Sequence, residues 1–214
     1  MKIVNIILLL SALFVGMVAS AQSDKEAEAL LKKVIDKMAS YDNFKAQLLY
    51  TMVNKEMDID EKKTGFIFVK GDSYRVEMEG QVIISDGTTL WTYLVDSQEV
   101  MVSKVEEDDE SISPTKILTT YIENYKARFD NDSKYKNADL KLIHLKPSEG
   151  KQFEAMSLLV NEKNLRIENF SVYDQNGNVF TYHIINLTPN LELPEGTFTF
   201  DTSQYPDVDV IDMR

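Results

Sequence analysis

Cysteine is absent from the 214-residue chain, and histidine occurs only at His144 and His183. The first absence excludes disulfides, thiol catalysis and zinc–thiolate sites. The second leaves little material for metal-bound or general-base chemistry, and no metal or cofactor is expected. Glycine is sparse, at eight residues, and the chain contains no glycine-rich phosphate loop, no G-x-S-x-G elbow and no H-E-x-x-H pair. Basic residues number 23 against 35 acidic ones, for a formal net charge of −12, and form no patch. Such a chain repels phosphate backbones, so nucleic acid is not an expected partner. With 43% hydrophobic and 27% charged residues, the composition is that of a globular chain, neither disordered nor multiply membrane-spanning.

One long apolar run is present, and it lies at the start. Lys2 precedes Ile3 to Val18, and Ala19-Ser20-Ala21 follows as a small-x-small site. This order reads as a Sec signal peptide over residues 1–21, cleaved after Ala21, and the polar Gln22-Ser23-Asp24 argues against a retained anchor. No cysteine stands at the junction to carry a lipid. Residues 22–214 show no repeat and no linker, and are expected to form a single exported domain.

The periodicity of that domain is mostly two. Ala27, Leu30, Leu31, Val34, Ile35 and Met38 recur at helical spacing over Asp24–Met38. From Phe44 the period changes, and Phe44, Ala46, Leu48, Tyr50 and Met52 alternate as in a strand. Further strands are predicted at Thr64–Lys70, Tyr74–Met78, Gln81–Ser85, Thr89–Val95 and Glu99–Val105, separated by short turns such as Gly71-Asp72-Ser73 and Glu79-Gly80. Connections this short imply an antiparallel meander. After the acidic Glu106–Glu110, Ser113-Pro114 opens a second amphipathic helix with Ile117, Leu118, Tyr121 and Ile122 on one side. Strands are predicted again at Ala127–Phe129, Leu140–Lys146, Phe153–Val160, Leu165–Tyr173, Val179–Leu187 and Thr197–Phe200, with Asn176-Gly177 as a hairpin turn. The fold class is therefore mainly β: an antiparallel barrel or strongly curved sheet of about ten or eleven strands, with a concave face to fill.

Candidate chemistry is thin. His144 and His183 fall in alternating strands and read as sheet-surface histidines, Glu106–Glu110 as a solvated loop, and the Asp207/Asp209 pair has no cleft around it. No catalytic residue and no enzyme activity is expected. The bulky residues of the meander are the candidates for an apolar, lipid-facing cavity: Phe66 and Phe68, with Tyr74, Val76 and Met78 placed on the same side, then Trp91 and Tyr93. Lys70 shares strand parity with Phe66 and Phe68, so its stem points to their face and its ammonium needs an acceptor.

Several of these segments resemble a known family. Ser85-Asp86-Gly87-Thr88-Thr89-Leu90-Trp91-Thr92-Tyr93 resembles the S-D-G-K-x-L-W-x-Y segment of outer-membrane lipoprotein carrier proteins, the LolA family. Phe68-Val69-Lys70-Gly71 with Tyr74-Arg75-Val76-Glu77-Met78, Pro114, Leu31–Phe44 and Phe198-Thr199-Phe200-Asp201 are similar to that family as well. The resemblance implies an incomplete barrel closed by lid helices around a cavity for lipoprotein acyl chains. It implies a periplasmic chaperone that takes acylated lipoproteins from an inner-membrane ABC-type exporter to an outer-membrane acceptor, working as a monomer. Lys70 stands where many members have an arginine that bonds lid carbonyls, and Ile35 and Leu118 fall on the lid positions facing it. Two alternatives share these observations: a carrier of another lipid or polyene, and a periplasmic sensor or interaction module.

The exported protein is expected to begin at Gln22, which intact-mass measurement of the secreted form checks. A mass corresponding to all 214 residues, or retention in membranes after a salt wash, contradicts the cleavage.

Overall fold

The computed structural model describes residues 24–105, 125–130, 139–147 and 153–214. A helix, α1 (24–39), comes first. Six strands follow: β1 (Phe44–Asn54), β2 (Ile59–Lys70), β3 (Ser73–Met78), β4 (Gln81–Ser85), β5 (Thr89–Leu94) and β6 (Glu99–Lys104). Among the described residues six more follow: β7 (Tyr125–Phe129), β8 (Leu140–Pro147), β9 (Phe153–Asn161), β10 (Arg166–Asp174), β11 (Val179–Pro189) and β12 (Asp209–Asp212). All twelve belong to one sheet, in the order β12-β6-β5-β4-β3-β2-β1-β11-β10-β9-β8-β7. The sheet is two meanders joined where β1 pairs with β11, and its ends, β12 and β7, do not meet. It is an unclosed, strongly curved antiparallel sheet, with β12 alone running parallel to its neighbour β6.

Tight turns decide which residues face inward. Gly71 and Asp72 are the only residues between the paired Lys70 and Ser73, and Glu79-Gly80 likewise separate Met78 from Gln81. Directly paired residues share a face, so each two-residue turn exchanges odd and even positions. The concave face accordingly takes Ile67 and Val69 from β2, Tyr74 and Val76 from β3, Ile83 from β4 and Leu90 from β5. Phe66, Phe68 and Lys70 carry the opposite parity and lie on the convex side. This corrects the expected placement of Phe66 and Phe68 beside Tyr74, Val76 and Met78.

Bulges add curl. Between Gln47 and Leu48 the β1–β11 register slips, because Gln47 pairs with Asn186 and Leu48 with Ile184. Ile185 is the extra residue, and both Ile184 and Leu187 consequently face the concave side. Two further irregularities lie between β9 and β10.

Among the described residues the core has three parts. Ala27, Leu31 and Val34 of α1 are buried against the concave face of the β7–β11 half, on residues such as Ile143, Met156, Val160 and Val172. The helical stripe read from the sequence is thus the packed face of α1. A second cluster joins Phe44, Ala46 and Leu48 to Ile67, Val69 and Tyr74, with Met38 from the end of α1. A third lies on the convex side, where Phe200, Tyr205 and Val208 cover Trp91, Tyr93, Val100 and Val102.

Several expectations shift at the edges. β2 begins at Ile59, not Thr64, since its charged first half pairs with Tyr50–Asn54 without presenting an alternating apolar signal. The predicted strand at Thr197–Phe200 is a succession of turns, and β12, which was not predicted, supplies the last strand. Glu106–Glu110 and the helix opened by Pro114 lie outside the described residues.

Gly65 marks the tightest contact between strands. It faces Leu48 on β1 and Met78 on β3, and a Cβ there would run into the Glu77 carbonyl oxygen and sit 2.7 Å from Met78 Cγ. Because backbone cannot yield as a side chain does, Gly65→Ala is expected to destabilise the domain by about 1–3 kcal/mol. Chemical denaturation of both proteins checks this, and an unchanged midpoint contradicts it.

Candidate functional site

Among the described residues, one helix lies on the concave face and covers half of it. α1 occupies the β7–β11 half, and beside it a hollow of about 350 Å³ remains over the β1–β5 half. That volume falls within the range of about 300–1,000 Å³ usual for small-molecule pockets. Its floor is made by Phe44, Ala46 and Leu48 of β1 with Ile67 of β2. Tyr74, Val76 and Met78 of β3, Ile83 of β4 and Leu90 and Thr92 of β5 form one wall. Leu158, Ile167, Phe170, Tyr182 and Ile184 form the other, and Met38 of α1 reaches over the top. No charged side chain among the described residues lines it. Such a surface offers an apolar guest burial and offers a charged or strongly polar one nothing.

Two further hollows adjoin it. One, of about 260 Å³, lies under the end of α1 between Ile35, Met38 and the Gly71-Asp72 turn, and shares Met38 and Phe44 with the central hollow. The other, of about 470 Å³, is bounded by Tyr50, Phe153, Phe180 and Tyr182 together with the Asp174–Asn176 turn, and shares Phe180's neighbour Tyr182 with the central one. Tyr50 and Tyr182 are paired across β1 and β11 with ring centroids 5.4 Å apart, and Tyr182 also stacks on Phe170 at 6.2 Å. Burial pushes the Tyr182 phenol up to about 12, and the neighbouring Tyr50 phenol adds to the shift. Tyr50 is itself raised, by burial first and then by the charge of Glu61. Both phenols therefore stay protonated and neutral across the physiological range.

The helix over this face is held at specific points. Lys37 Nζ donates to the Asn164 carbonyl oxygen at 2.6 Å, tying α1 to the β9–β10 turn. Downstream, Asn43 Nδ2 donates to the Leu191 carbonyl, and Asn43 Oδ1 accepts from the Leu191 N–H. Asn190 Oδ1 accepts from the Asp42 N–H, so the link between α1 and β1 is sewn to the chain leaving β11. Neither Lys37 nor the Asn43–Asn190 pair stood out in the sequence. A lysine on the polar side of a helix reads as solvated, and the acceptor is 127 residues away.

The sequence-predicted residues divide between the two faces. Tyr74, Val76 and Met78 line the central hollow, and Ile35 lines the smaller one beneath α1. Phe66 and Phe68 lie outside, with the Lys45 ammonium 4.2 Å and 5.0 Å from their ring centroids. Trp91 and Tyr93 are on the convex side too, where Tyr93 meets Phe200 and Tyr205 at 5.4 Å and 4.9 Å. Asp201, which accepts from the Ser203 N–H, caps the short 3-10 turn Thr202–Gln204 that brings Tyr205 onto Phe200. The F-T-F-D and L-W-x-Y segments thus meet as one outer core. Lys70 is exposed on the convex side, facing away from α1, and Leu118 lies outside the described residues. The alternation in each strand was legible; which parity faced inward depended on the two-residue turns.

Comparison with known proteins gives this geometry a context. The family profile described as outer membrane lipoprotein carrier protein LolA matches residues 39–201. An outer-membrane lipoprotein carrier protein of Legionella pneumophila strain Lens is 29% identical over 129 residues, covering 60% of this chain and 62% of that protein. The chain therefore aligns to under two thirds of that relative's length. The crystal structure of an uncharacterized conserved protein from Thermus thermophilus superposes with a TM-score of 0.55 at 14% identity, covering 85% of this chain and 96% of the other. A LolA superfamily protein from Nitrosomonas europaea covers 81% and 97% of the two chains at 13% identity, with a TM-score of 0.45. The Thermus thermophilus likeness concerns the fold alone, and the profile match extends from the end of α1 through Asp201. The chain belongs to the LolA family of outer-membrane lipoprotein carrier proteins.

Proposed function

We propose that the protein is a periplasmic, non-enzymatic carrier that covers the acyl chains of lipoproteins and carries them from the inner to the outer membrane. The observation that carries this reading is the apolar hollow of the concave face, roofed by Met38 and lined by no charged group among the described residues. A lipid chain gains about 0.8 kcal/mol per buried methylene, so an acylated protein leaves a membrane only for a surface of comparable quality. The β1–β5 half of the concave face is such a surface. Its family membership and its relative in Legionella support the same reading. In this scheme residues 1–21 direct export and are removed, and an inner-membrane ABC-type exporter and an outer-membrane acceptor are the donor and recipient. α1 is the lid, and Tyr74, Val76 and Met78 touch the acyl chains.

Chemistry plays no part in such a task. Loading and release need only that cargo and lid compete for one apolar surface. Met38 belongs both to the cluster around Phe44 and to the lining of the hollow, so an entering chain must displace it or slide beneath it. Because Lys70 is on the far face, the polar contacts that tie down α1 and its link to β1 include Lys37 on the Asn164 carbonyl, with the Asn43–Leu191 and Asp42–Asn190 bonds behind it, in addition to the apolar packing of Ala27, Leu31 and Val34.

Val76 stands mid-wall, and Val76→Glu sets a carboxylate among acyl chains. Release of a labelled lipoprotein from inner-membrane vesicles into solution is expected to fall by about tenfold or more, since an unpaired buried charge costs several kcal/mol. Circular dichroism should match the parent. Undiminished release by a folded Val76→Glu protein contradicts the reading. Native mass spectrometry of the protein from its own periplasm separates the alternatives: an acylated protein supports this reading, whereas a free lipid or no bound species contradicts it.

A further inference from the structure

The three hollows lie in line along β1. Phe44 belongs to the first two, Ala46 and Leu48 to the central one, and Tyr50 to the third. On β11 the same progression runs from Leu187 and Ile184 to Tyr182 and then Phe180. At a rise of about 3.3 Å per residue, Phe44 to Leu48 spans about 13 Å and Phe44 to Tyr50 about 20 Å. A chain that fills one leaflet of a hydrocarbon core about 30 Å thick needs about 15 Å. Along β1 the central hollow is slightly shorter than that, and the hollow beyond it extends the line. The residue that lines both is Tyr182, whose ring is held between Tyr50 and Phe170.

We propose that the acyl site continues past Tyr182 into the hollow bounded by Tyr50, Phe153 and Phe180, and that the Tyr182 ring sets the chain length accepted. This deepens the carrier reading and rests on it. The far hollow suits the end of an apolar chain. Phe153, Phe180 and the two tyrosines give it aromatic walls, while the Asp174–Asn176 turn forms its polar outer rim. That turn is held shut by its own bonds: Asp174 Oδ1 accepts from the backbone N–H groups of Asn176 and Asn178, and Asp174 Oδ2 accepts from Asn178 Nδ2. Asn54, buried to 1% exposure, donates through Nδ2 to Asn178 Oδ1 and to the Asn176 carbonyl, and so anchors the turn to β1. The rim is therefore a fixed stop, whereas the partition is a side chain that turns about two torsions. Swinging the Tyr182 ring aside joins the two hollows without moving a strand.

The test is a series of saturated fatty acids of increasing length, displacing a fluorescent acyl probe from the full mature chain. Each buried methylene tightens binding about fourfold at 25 °C, so affinity climbs with length until the chain meets an obstacle. In the parent the gain per carbon is expected to drop once Tyr182 must rotate. In Tyr182→Ala the fourfold steps should continue for several more carbons. Chains beyond the parent's break should bind about tenfold tighter to the variant than to the parent. Tyr182→Phe should keep the parental break, because the ring and not the hydroxyl is the obstacle. Tyr182→Leu gives the same readout should the alanine variant fail to fold. A parental probe that binds with an unchanged break in both Tyr182→Ala and Tyr182→Leu overturns the partition and leaves the carrier reading standing. Failure of any acyl probe to bind the parent overturns both.

Discussion

The packing of α1 against the β7–β11 half of the concave face is the contact on which the rest depends. Ala27, Leu31 and Val34 are essentially inaccessible to solvent there. A single helix is about 10–12 Å across and cannot cover the inside of a twelve-stranded sheet. Among the described residues it settles on one half and leaves the hollow over the other, where Phe44, Ala46, Leu48, Ile67 and Tyr74 pack on one another and present an apolar surface. The hollow lies where that helix does not reach. Its position is set by Met38, the last apolar residue of the helical stripe, which reaches across from one half to the other.

A sheet this broad must also hide its convex side somewhere, and the chain does so with its own end. Phe200, Tyr205 and Val208 cover Trp91, Tyr93 and Val102, and β12 then runs along β6. Aromatic residues that would suit a lipid pocket are thereby used to stabilise the outer wall. Inside, the lining mixes aliphatic residues with Met38, Met78 and the rings of Phe44, Tyr74, Phe170 and Tyr182. Aliphatic side chains accommodate a flexible chain without demanding an orientation, whereas aromatic rings impose one. Tyr50 and Tyr182 sit where the central and far hollows adjoin.

Polar restraint is concentrated at the ends of the strands. Lys37 on the Asn164 carbonyl, Asp42 with Asn190, Asn43 with Leu191, and Asn54 with Asn176 and Asn178 each join segments more than a hundred residues apart. Between them the lining of the central hollow is aliphatic and aromatic. A surface that must exchange one apolar occupant for another works by non-directional contacts, and directional bonds across it would fix one state. The Lys45 ammonium over Phe66 and Phe68 shows the same division, with the charged contact kept on the outer side.

Local periodicity in the sequence determined that the chain is a meander of antiparallel strands preceded by an amphipathic helix, because side-chain alternation and short turns are properties of neighbouring residues. It also grouped Phe44, Ala46 and Leu48 on one side of β1 and Tyr74, Val76 and Met78 on one side of β3, and the structure turns both groups to the hollow. The assignment of Phe66, Phe68, Trp91 and Tyr93 to that face failed because hydrophobic size does not reveal orientation. A two-residue turn reverses parity, and the Lys70–Ser73 pairing turns Ile67 inward and its larger neighbours outward. Ile184 and Leu187 share the inner face only because Ile185 bulges, and no period of two can express that. Tertiary structure alone decided that Lys37 and not Lys70 reaches a distant carbonyl, that the chain's last segment covers Trp91, and that Tyr182 lines two hollows. Each of these joins residues far apart in sequence, and their meeting follows from how the sheet coils and where the helix lies on it.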